Sequence, residues 1–280
     1  MNNRITEASV AAFAAHLRRE ERSESTVEKY CRVLASLRRE LPRQGALDRP
    51  ALLAWKRGVA QRYSPATVNT MIAAVNSYCE YIGRQDCRLS SLRVQRRIFR
   101  EHSRELTRGE YLRLLEAAQR QGNDRLRLIM ETLGSTGIRI SELRFVTAEA
   151  VRRGRATVDC KGKRREIMLP KTLRRMLESW LRRRGVTSGP VFVSAAGKPL
   201  DRSNIWRELK RLCSAARVDS RKVFPHNFRH LFAVIYYKMY KDMSKLADLL
   251  GHSSINTTKI YLMESGRTHE RQLERLGMVL

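Results

Sequence analysis

Two arginines, two histidines and a tyrosine stand at ordered intervals in the second half of this chain: Arg139, His226, Arg229, His252 and Tyr261. Guanidinium forks suit phosphate oxygens, an imidazole can move a proton, and a phenol can become a covalent nucleophile. A phenol ordinarily titrates at about pH 10, so it needs a proton acceptor and a positive field to react at neutral pH. Together these groups could carry out phosphodiester chemistry without a metal, which indicates DNA as the substrate.

The charge of the chain favours the same class of partner. Its 280 residues hold 56 Lys and Arg against 28 Asp and Glu, a formal net charge of +28. Such an excess over the whole chain is typical of proteins that bind a polyanion. An acidic membrane surface is the alternative, but no strongly hydrophobic, lysine-flanked amphipathic segment supports it. Nucleic acid is therefore the predicted partner.

Cysteine usage and the N-terminus predict a cytoplasmic protein, associated with the nucleoid when it is bound to DNA. The five cysteines are scattered, odd in number and without paired metal-ligand spacing, as expected for reduced packing residues. The N-terminal residues 1–7 have no apolar signal core, and the longest apolar run, 231–237, is too short to span a bilayer. We expect no cofactor and no metal.

The first third of the chain predicts a helical domain over residues 1–83. Four segments combine a capping residue with apolar positions at helical spacing, and they begin near Thr6, Ser25, Asp48 and Ser64. Residues 84–106 then lose this periodicity and carry seven arginines. We interpret them as a basic linker that lies along a phosphate backbone, with an ordinary solvated tether as the alternative.

Residues 107–280 predict a second, mixed domain with a C-terminal tail. It begins with a capping box at Thr107, and its pattern predicts a helix over 126–133 and a turn over 134–137. Two short β-prone segments, 156–160 and 165–169, flank a glycine-containing turn and predict a hairpin. Helices are expected again in five further segments: 172–184, 201–216, 225–240, 244–250 and 255–263.

The motifs in this second domain resemble those of the tyrosine recombinases, the family of integrases and Xer-type enzymes. The resemblance is carried by 136–143, by His-Asn-Phe-Arg-His at 226–230, by 250–254, and by Tyr261 nine positions after His252. It covers essentially the whole chain and implies a mainly α fold with a small β-sheet or hairpin. The helical unit would be a SAM-like core-binding domain, and the mixed α/β unit would be the catalytic domain. The chain begins almost at the core-binding helices, so we expect no separate arm-type domain.

Site roles follow from the resemblance, residue by residue. Arg139 and Arg229 match the two catalytic arginines of the family, His226 and His252 its histidines, and Tyr261 its nucleophile. Lys161 matches the catalytic lysine on the hairpin. The implied reaction is attack on a phosphodiester to form a 3′-phosphotyrosine bond, with release of a 5′-hydroxyl that can attack a partner strand.

Three assignments keep alternatives at this point. Lys163 could replace Lys161 as the acid that protonates the leaving oxygen. Glu142 could orient Arg139, or the two could form only a surface pair three residues apart. His230 is interpreted as structural or supporting, because a zinc site with the neighbouring histidines would lack a cysteine or carboxylate at ligand spacing.

The partner implied by the resemblance is double-stranded DNA with inverted half-sites, bound by a homotetramer. The tail carries apolar residues at spacings of three, Leu273, Leu276 and Val279, and in this family such tails often dock on a neighbouring protomer. Packing of the tail on its own domain is the alternative. Two competing functions remain. One is a DNA-relaxing enzyme of the type IB topoisomerase kind, and the other is a non-catalytic DNA-binding protein of the same fold.

Overall fold

The computed structural model describes residues 4–41, 47–94, 104–160, 163–194, 197–198, 200–252, 254–262, 274–275 and 278. The chain divides into two compact units, Met1–Arg96 and Arg97–Leu280. Among the described residues, no helix has the length and apolar character needed to cross a membrane.

The first unit is built from four helices: α1 (Glu7–Arg19), α2 (Glu24–Glu40), α3 (Arg49–Arg62) and α4 (Pro65–Tyr81). The predicted caps start three of them, since the side chains of Thr6, Asp48 and Ser64 each accept a hydrogen bond from a backbone N–H in the first turn. Their apolar faces meet in one core, with Phe13 and Leu34 fully buried. The four predicted helices are therefore present.

The predicted linker differs from the structure at its N-terminal end. A short 3₁₀ helix, Gln85–Cys87, follows α4, and Cys87 and Leu89 are 0% and 3% exposed in the core of the first unit. The Asn76 side-chain amide donates to the Leu89 carbonyl and accepts from its N–H, as a strand neighbour would. Residues 85–92 thus pack on the first unit. The burial of Cys87 and Leu89 and the hydrogen bonds of the backbone hold this segment there, although it also carries arginines. Residues 95–103 lie outside the described residues.

The second unit has eight α-helices and a hairpin within its described part. Its elements follow in chain order: α5 (Arg108–Arg120), α6 (Asp124–Thr136), a 3₁₀ helix (Ile140–Phe145), α7 (Ala148–Arg153), β1 (Arg155–Cys160), β2 (Lys163–Met168), α8 (Lys171–Arg183), α9 (Arg202–Ala216), a 3₁₀ helix (Ser220–Lys222), α10 (Pro225–Tyr240), α11 (Met243–Leu250), α12 (Ile255–Lys259) and a 3₁₀ turn (Ile260–Leu262).

The predicted turn over 134–137 is wrong in its extent. Helix α6 continues through Thr136, and only Gly137 leaves it, with φ of 66° as a left-handed cap. Gly134 is instead a helical residue whose missing side chain makes room for the Tyr111 ring, since a Cβ there would lie 3.0 Å from it. Gly134 thus allows close packing, whereas Gly137 ends the helix.

The hairpin is confirmed. Strands β1 and β2 pair antiparallel, from Arg155 opposite Met168 to Cys160 opposite Lys163. Strand β2 begins at Lys163, two residues earlier than predicted, because a two-residue connection is enough to join antiparallel strands. The face formed by Ala156 and Ile167 is buried in the core of this unit, which fixes the register.

Helix α10 lies in the interior of the second unit and brings polar groups with it. It packs against α6, and its residues 227–231 are buried. The Asn227 side chain donates to the carbonyls of Arg104 and Lys222, which ties the helix start to the entry of the unit. The helix ends at Lys241 in a left-handed conformation. A polar stretch held this firmly can position chemical groups accurately.

Candidate active site

Tyr261 is surrounded by three imidazoles. It lies in the 3₁₀ turn after α12 and is 6% exposed. Its ring is parallel to that of His252, at 5.6 Å between centroids, and it is tilted against the rings of His226 and His230 at 5.4 and 5.6 Å. The hydroxyl lies 3.2 Å from Nε2 of His226. The phenol therefore has a proton acceptor within hydrogen-bond reach.

Arg229 is the buried cation of the site. It is 1% exposed on α10, one turn after His226, as the spacing of three predicts. Nη1 donates to the Gly137 carbonyl at 2.7 Å, and Nη2 lies 2.7 Å from the Leu250 carbonyl and 2.8 Å from Nε2 of His252. These contacts use three of the five guanidinium N–H groups. Nε is buried and has no hydrogen-bond partner among the described residues.

The electrostatics of Arg229 point to the phenol beside it. Burial lowers the pKa of Arg229 and nearby Arg139 lowers it further, while the Tyr261 hydroxyl opposes that change. A guanidinium nonetheless stays charged in proteins. The Tyr261 oxygen therefore lies beside a fixed positive charge, which can stabilise negative charge that develops in a reaction there.

His252 is held as a neutral imidazole. Burial, followed by the charges of Arg229, Arg139 and Arg165, lowers the pKa of His252 to about 4. Its Nδ1 lies 2.8 Å from the Thr258 hydroxyl. At neutral pH this histidine is thus uncharged, with both ring nitrogens engaged.

Arg139 is fixed by a buried carboxylate. Glu142 is 2% exposed, and its two oxygens accept from Nη1 of Arg139 at 3.0 Å and from the Arg139 backbone N–H at 2.7 Å. Nη2 of Arg165 on β2 reaches the same carboxylate at 2.7 Å, and its Nη1 donates to the Leu249 carbonyl at 2.6 Å. Of the two interpretations of Glu142, the structure supports the orienting one, because a surface pair would not be buried.

A cleft is lined by three of the predicted site residues. It has a volume of about 860 Å³, and its lining includes Arg139, His226 and Arg229 together with Arg202, Trp206 and Arg207 of α9. Four arginine side chains and one imidazole therefore line the same cleft as the exposed ring of Trp206. An anionic polymer is the ligand that such a cleft fits.

Five of the six predicted site residues come together in this place: Arg139, His226, Arg229, His252 and Tyr261. The sixth, Lys161, lies outside the described residues, and of Lys163 only the backbone in β2 is described. Sequence reasoning missed Arg165 and Thr258. Arg165 is one arginine among many, whereas Thr258 could have been noticed as a hydroxyl one helical turn before Tyr261. Within the described ranges, no group of three or more His, Cys, Asp or Glu residues could hold a metal ion.

The carbonyl of Gly137 makes that glycine part of the site, and its substitution gives a testable result. An alanine Cβ at Gly137 would lie 2.4 Å from the Phe232 ring, and φ of 66° disfavours any side chain. We expect Gly137→Ala to lower the free energy of unfolding by about 1–2 kcal/mol for the left-handed backbone plus about 1–3 kcal/mol for overpacking.

Gly122 is the matched control for this substitution. It has φ of 65°, but a Cβ there would meet nothing within 4 Å. Gly122→Ala should therefore show only the backbone contribution. Urea unfolding in a Trp55→Phe background measures both variants, because the remaining tryptophans, Trp180 and Trp206, belong to the second unit. Equal losses in the two variants would contradict the packing argument.

Comparison with known proteins assigns this site to a family. A sequence model described as the Phage integrase family matches residues 104–266, more than half of the chain. Tyrosine recombinase XerA of Pyrococcus furiosus is 29% identical over 95% of this chain and 93% of its own length. Tyrosine recombinase XerD of Xanthomonas axonopodis pv. citri is 30% identical over 89% of each chain.

A solved structure shows the same fold. The chain superimposes on one chain of the crystal structure of a lambda integrase tetramer bound to a Holliday junction, with a TM-score of 0.73, at 20% identity, over 93% of this chain and 78% of that chain. The predicted mainly helical fold with a small hairpin is thereby confirmed. The chain belongs to the phage integrase family and is a tyrosine recombinase, an enzyme of DNA strand exchange.

Proposed function

We propose that this recombinase cleaves and rejoins DNA at specific sites through a 3′-phosphotyrosine bond on Tyr261. The observation that carries the proposal is the 3.2 Å contact between the Tyr261 hydroxyl and Nε2 of His226, beside the buried charge of Arg229. A nucleophile, a proton acceptor and a fixed cation are the parts that covalent attack on a phosphodiester requires.

The cleavage step follows from this geometry. The Tyr261 oxygen attacks phosphorus as its proton passes to Nε2 of His226, and the bond from phosphorus to the 5′-oxygen breaks. Arg139 and Arg229 line the same cleft and would stabilise the negative charge that develops on the non-bridging oxygens. The departing 5′-oxygen takes a proton from Lys161, or from Lys163 as the alternative. In the reverse step, a 5′-hydroxyl attacks the phosphotyrosine and restores the phenol.

DNA binding is assigned to both parts of the chain. We propose residues 1–83, with 85–92 packed on them, as a core-binding domain and 107–280 as the catalytic domain, joined by a segment that contacts phosphates. The net charge of +28 and the arginines of the cleft support this assignment. Charge gives affinity for any sequence, so site selection requires contacts with base edges or DNA shape.

The proposed assembly is a homotetramer on DNA with inverted half-sites, acting on the nucleoid in the cytoplasm. Exchange of strands between two duplexes needs four nucleophiles, and the lambda integrase with the same fold forms a tetramer on a Holliday junction. Docking of the tail on a neighbouring protomer is part of this proposal. Its apolar residues Leu273, Leu276 and Val279 lie outside the described residues.

A covalent complex tests the chemistry. On a nicked suicide duplex taken from the DNA beside its own gene, the full chain should form an adduct that survives denaturation. Tyr261→Phe should form none while it binds the same duplex, because only the nucleophilic oxygen is removed. A denaturing gel and a gel-shift assay measure the two properties. If neither wild type nor variant forms an adduct on any tested half-site, the protein is a non-catalytic binder and the proposal is wrong.

An exposed tyrosine provides the matched control for this test. Tyr240 is 61% exposed at the end of α10. Tyr240→Phe should form the adduct as wild type does. An adduct that persists in Tyr261→Phe and disappears in Tyr240→Phe would move the nucleophile away from Tyr261.

A further inference from the structure

One buried hydroxyl of the site has no role in the chemistry described above. Thr258 on α12 is 0% exposed, and its Oγ1 lies 2.8 Å from Nδ1 of His252. A buried polar side chain persists when its hydrogen bond compensates for the loss of water. The contact joins the segment that carries Tyr261 to the histidine that contacts Arg229.

The partners of His252 determine its tautomer. Nε2 lies 2.8 Å from Nη2 of Arg229, and a guanidinium can only donate. Nε2 must therefore be the acceptor, and in a neutral imidazole the proton then belongs to Nδ1. Nδ1–H donates to the Thr258 hydroxyl, which is the acceptor that this tautomer requires.

The position of Thr258 in the chain connects this contact to Tyr261. Thr258 precedes Tyr261 by three residues, and α12 passes directly into the 3₁₀ turn that holds the tyrosine. A chain of hydrogen bonds thus runs from α12 through His252 to Arg229, and from Arg229 to the carbonyls of Gly137 and Leu250. These hydrogen bonds therefore fix the position of Arg229 relative to the segment that carries Tyr261.

We propose that Thr258 is a positioning residue for the cleavage reaction: its hydroxyl accepts from Nδ1–H and so fixes the orientation of the His252 ring, and His252 in turn orients Arg229 relative to Tyr261. The functional part of this inference rests on the proposed role of Tyr261. The hydrogen bond at Nδ1 does not, because it is a property of the protein without DNA.

Removal of the hydroxyl should act on two properties. Without an acceptor, a buried Nδ1–H is left unsatisfied. The proton cannot move to Nε2, because an Nε2–H would face the N–H of Arg229. The ring therefore turns toward another acceptor, and the guanidinium loses one of its three anchors. We expect cleavage at saturating DNA to slow by about 10-fold to 100-fold. DNA affinity should change little, since Thr258 is buried.

Two pairs of variants isolate the hydroxyl. Thr258→Val keeps the shape of the side chain and loses the oxygen, whereas Thr258→Ser keeps the oxygen. Thr258→Ser and Thr258→Ala form a second pair that differs only in the oxygen, for use if the valine variant folds poorly. Thr257 is exposed on the same helix, and Thr257→Val is the matched control.

The measurements are ¹⁵N-histidine NMR on the full chain without DNA and the rate of adduct formation on suicide DNA. The His252 signal is assigned by its absence in His252→Asn. We expect the unprotonated nitrogen at Nε2 and the same Nδ1–H signal in wild type, Thr258→Ser and Thr257→Val. In Thr258→Val and Thr258→Ala we expect a shifted Nδ1–H signal of His252 together with slow cleavage.

Three results would overturn the proposal. An unchanged His252 Nδ1–H signal in Thr258→Val and Thr258→Ala would show that the hydroxyl does not hold the ring. A changed signal with wild-type cleavage would make the contact structural only. A Thr258→Ser variant as slow as Thr258→Ala would assign the effect to packing. If the signal changes as expected but wild type forms no adduct, the proposal for Tyr261 fails and the cleavage role of Thr258 fails with it.

Discussion

Arg139→Ala should slow adduct formation by about 10²-fold to 10³-fold at saturating DNA, the usual consequence of losing one preorganised donor to a developing anion. The fold should survive, because the Arg139 side chain is 46% exposed and its partner Glu142 keeps Arg165 and the backbone N–H of residue 139. Single-turnover kinetics on suicide DNA and thermal unfolding measure the two expectations together.

Arg144 is the control for this prediction. It is exposed in the same 3₁₀ helix and stacks on the Phe145 ring with its guanidinium 4.8 Å from the centroid. Arg144→Ala removes the same charge from the same segment, so its cleavage rate at saturating DNA should stay within about twofold of wild type. Arg139→Lys should remain slow, because an ammonium cannot replace the planar fork. Equal rates in Arg139→Ala and Arg144→Ala would show that Arg139 contributes only general charge.

The helical framework was predictable because its signals are local. Thr6, Asp48, Ser64 and Thr107 cap helices through bonds to the residue three positions away, and apolar side chains recur at helical spacing. Such signals depend on short stretches of chain and survive in a single sequence. The end of the first unit was not predicted, because the contacts that hold it are not local. Leu89 and Leu92 pair with Asn76 and Asn69, 13 and 23 residues away, and no local pattern shows this.

The reactive groups of the site were predictable from residue type and order, but their support was not. His226 and Arg229 share a helix, and their spacing states that directly. Arg165 reaches Glu142 from 23 residues away and Leu249 from 84, so its role depends on how the hairpin packs. The single sequence contains 56 basic residues, and nothing distinguishes this one before folding. The burial of Arg165 in the folded unit distinguishes it from the arginines that face solvent.

Glu142→Gln should give the largest loss of stability among the substitutions considered, about 3–5 kcal/mol in the free energy of unfolding of the second unit. The Glu142 side chain is 3% exposed and that of Arg165 16%, so removal of the carboxylate leaves a largely buried guanidinium without its counterion. Urea unfolding followed by Trp180 and Trp206 in the Trp55→Phe background measures the loss. Cleavage should slow as well, since Arg139 loses the group that orients it.

Glu166 provides the control for the loss of a carboxylate from this region. It faces Arg155 across the hairpin at 3.6 Å, with both side chains more than half exposed, so Glu166→Gln should cost at most about 1 kcal/mol. The double variant Glu142→Gln, Arg165→Met should be less destabilised than the sum of its single variants, because no unpaired buried charge remains. Strictly additive losses would show that the carboxylate and Arg165 stabilise the unit independently. The carboxylate would then not be what connects the hairpin to Arg139.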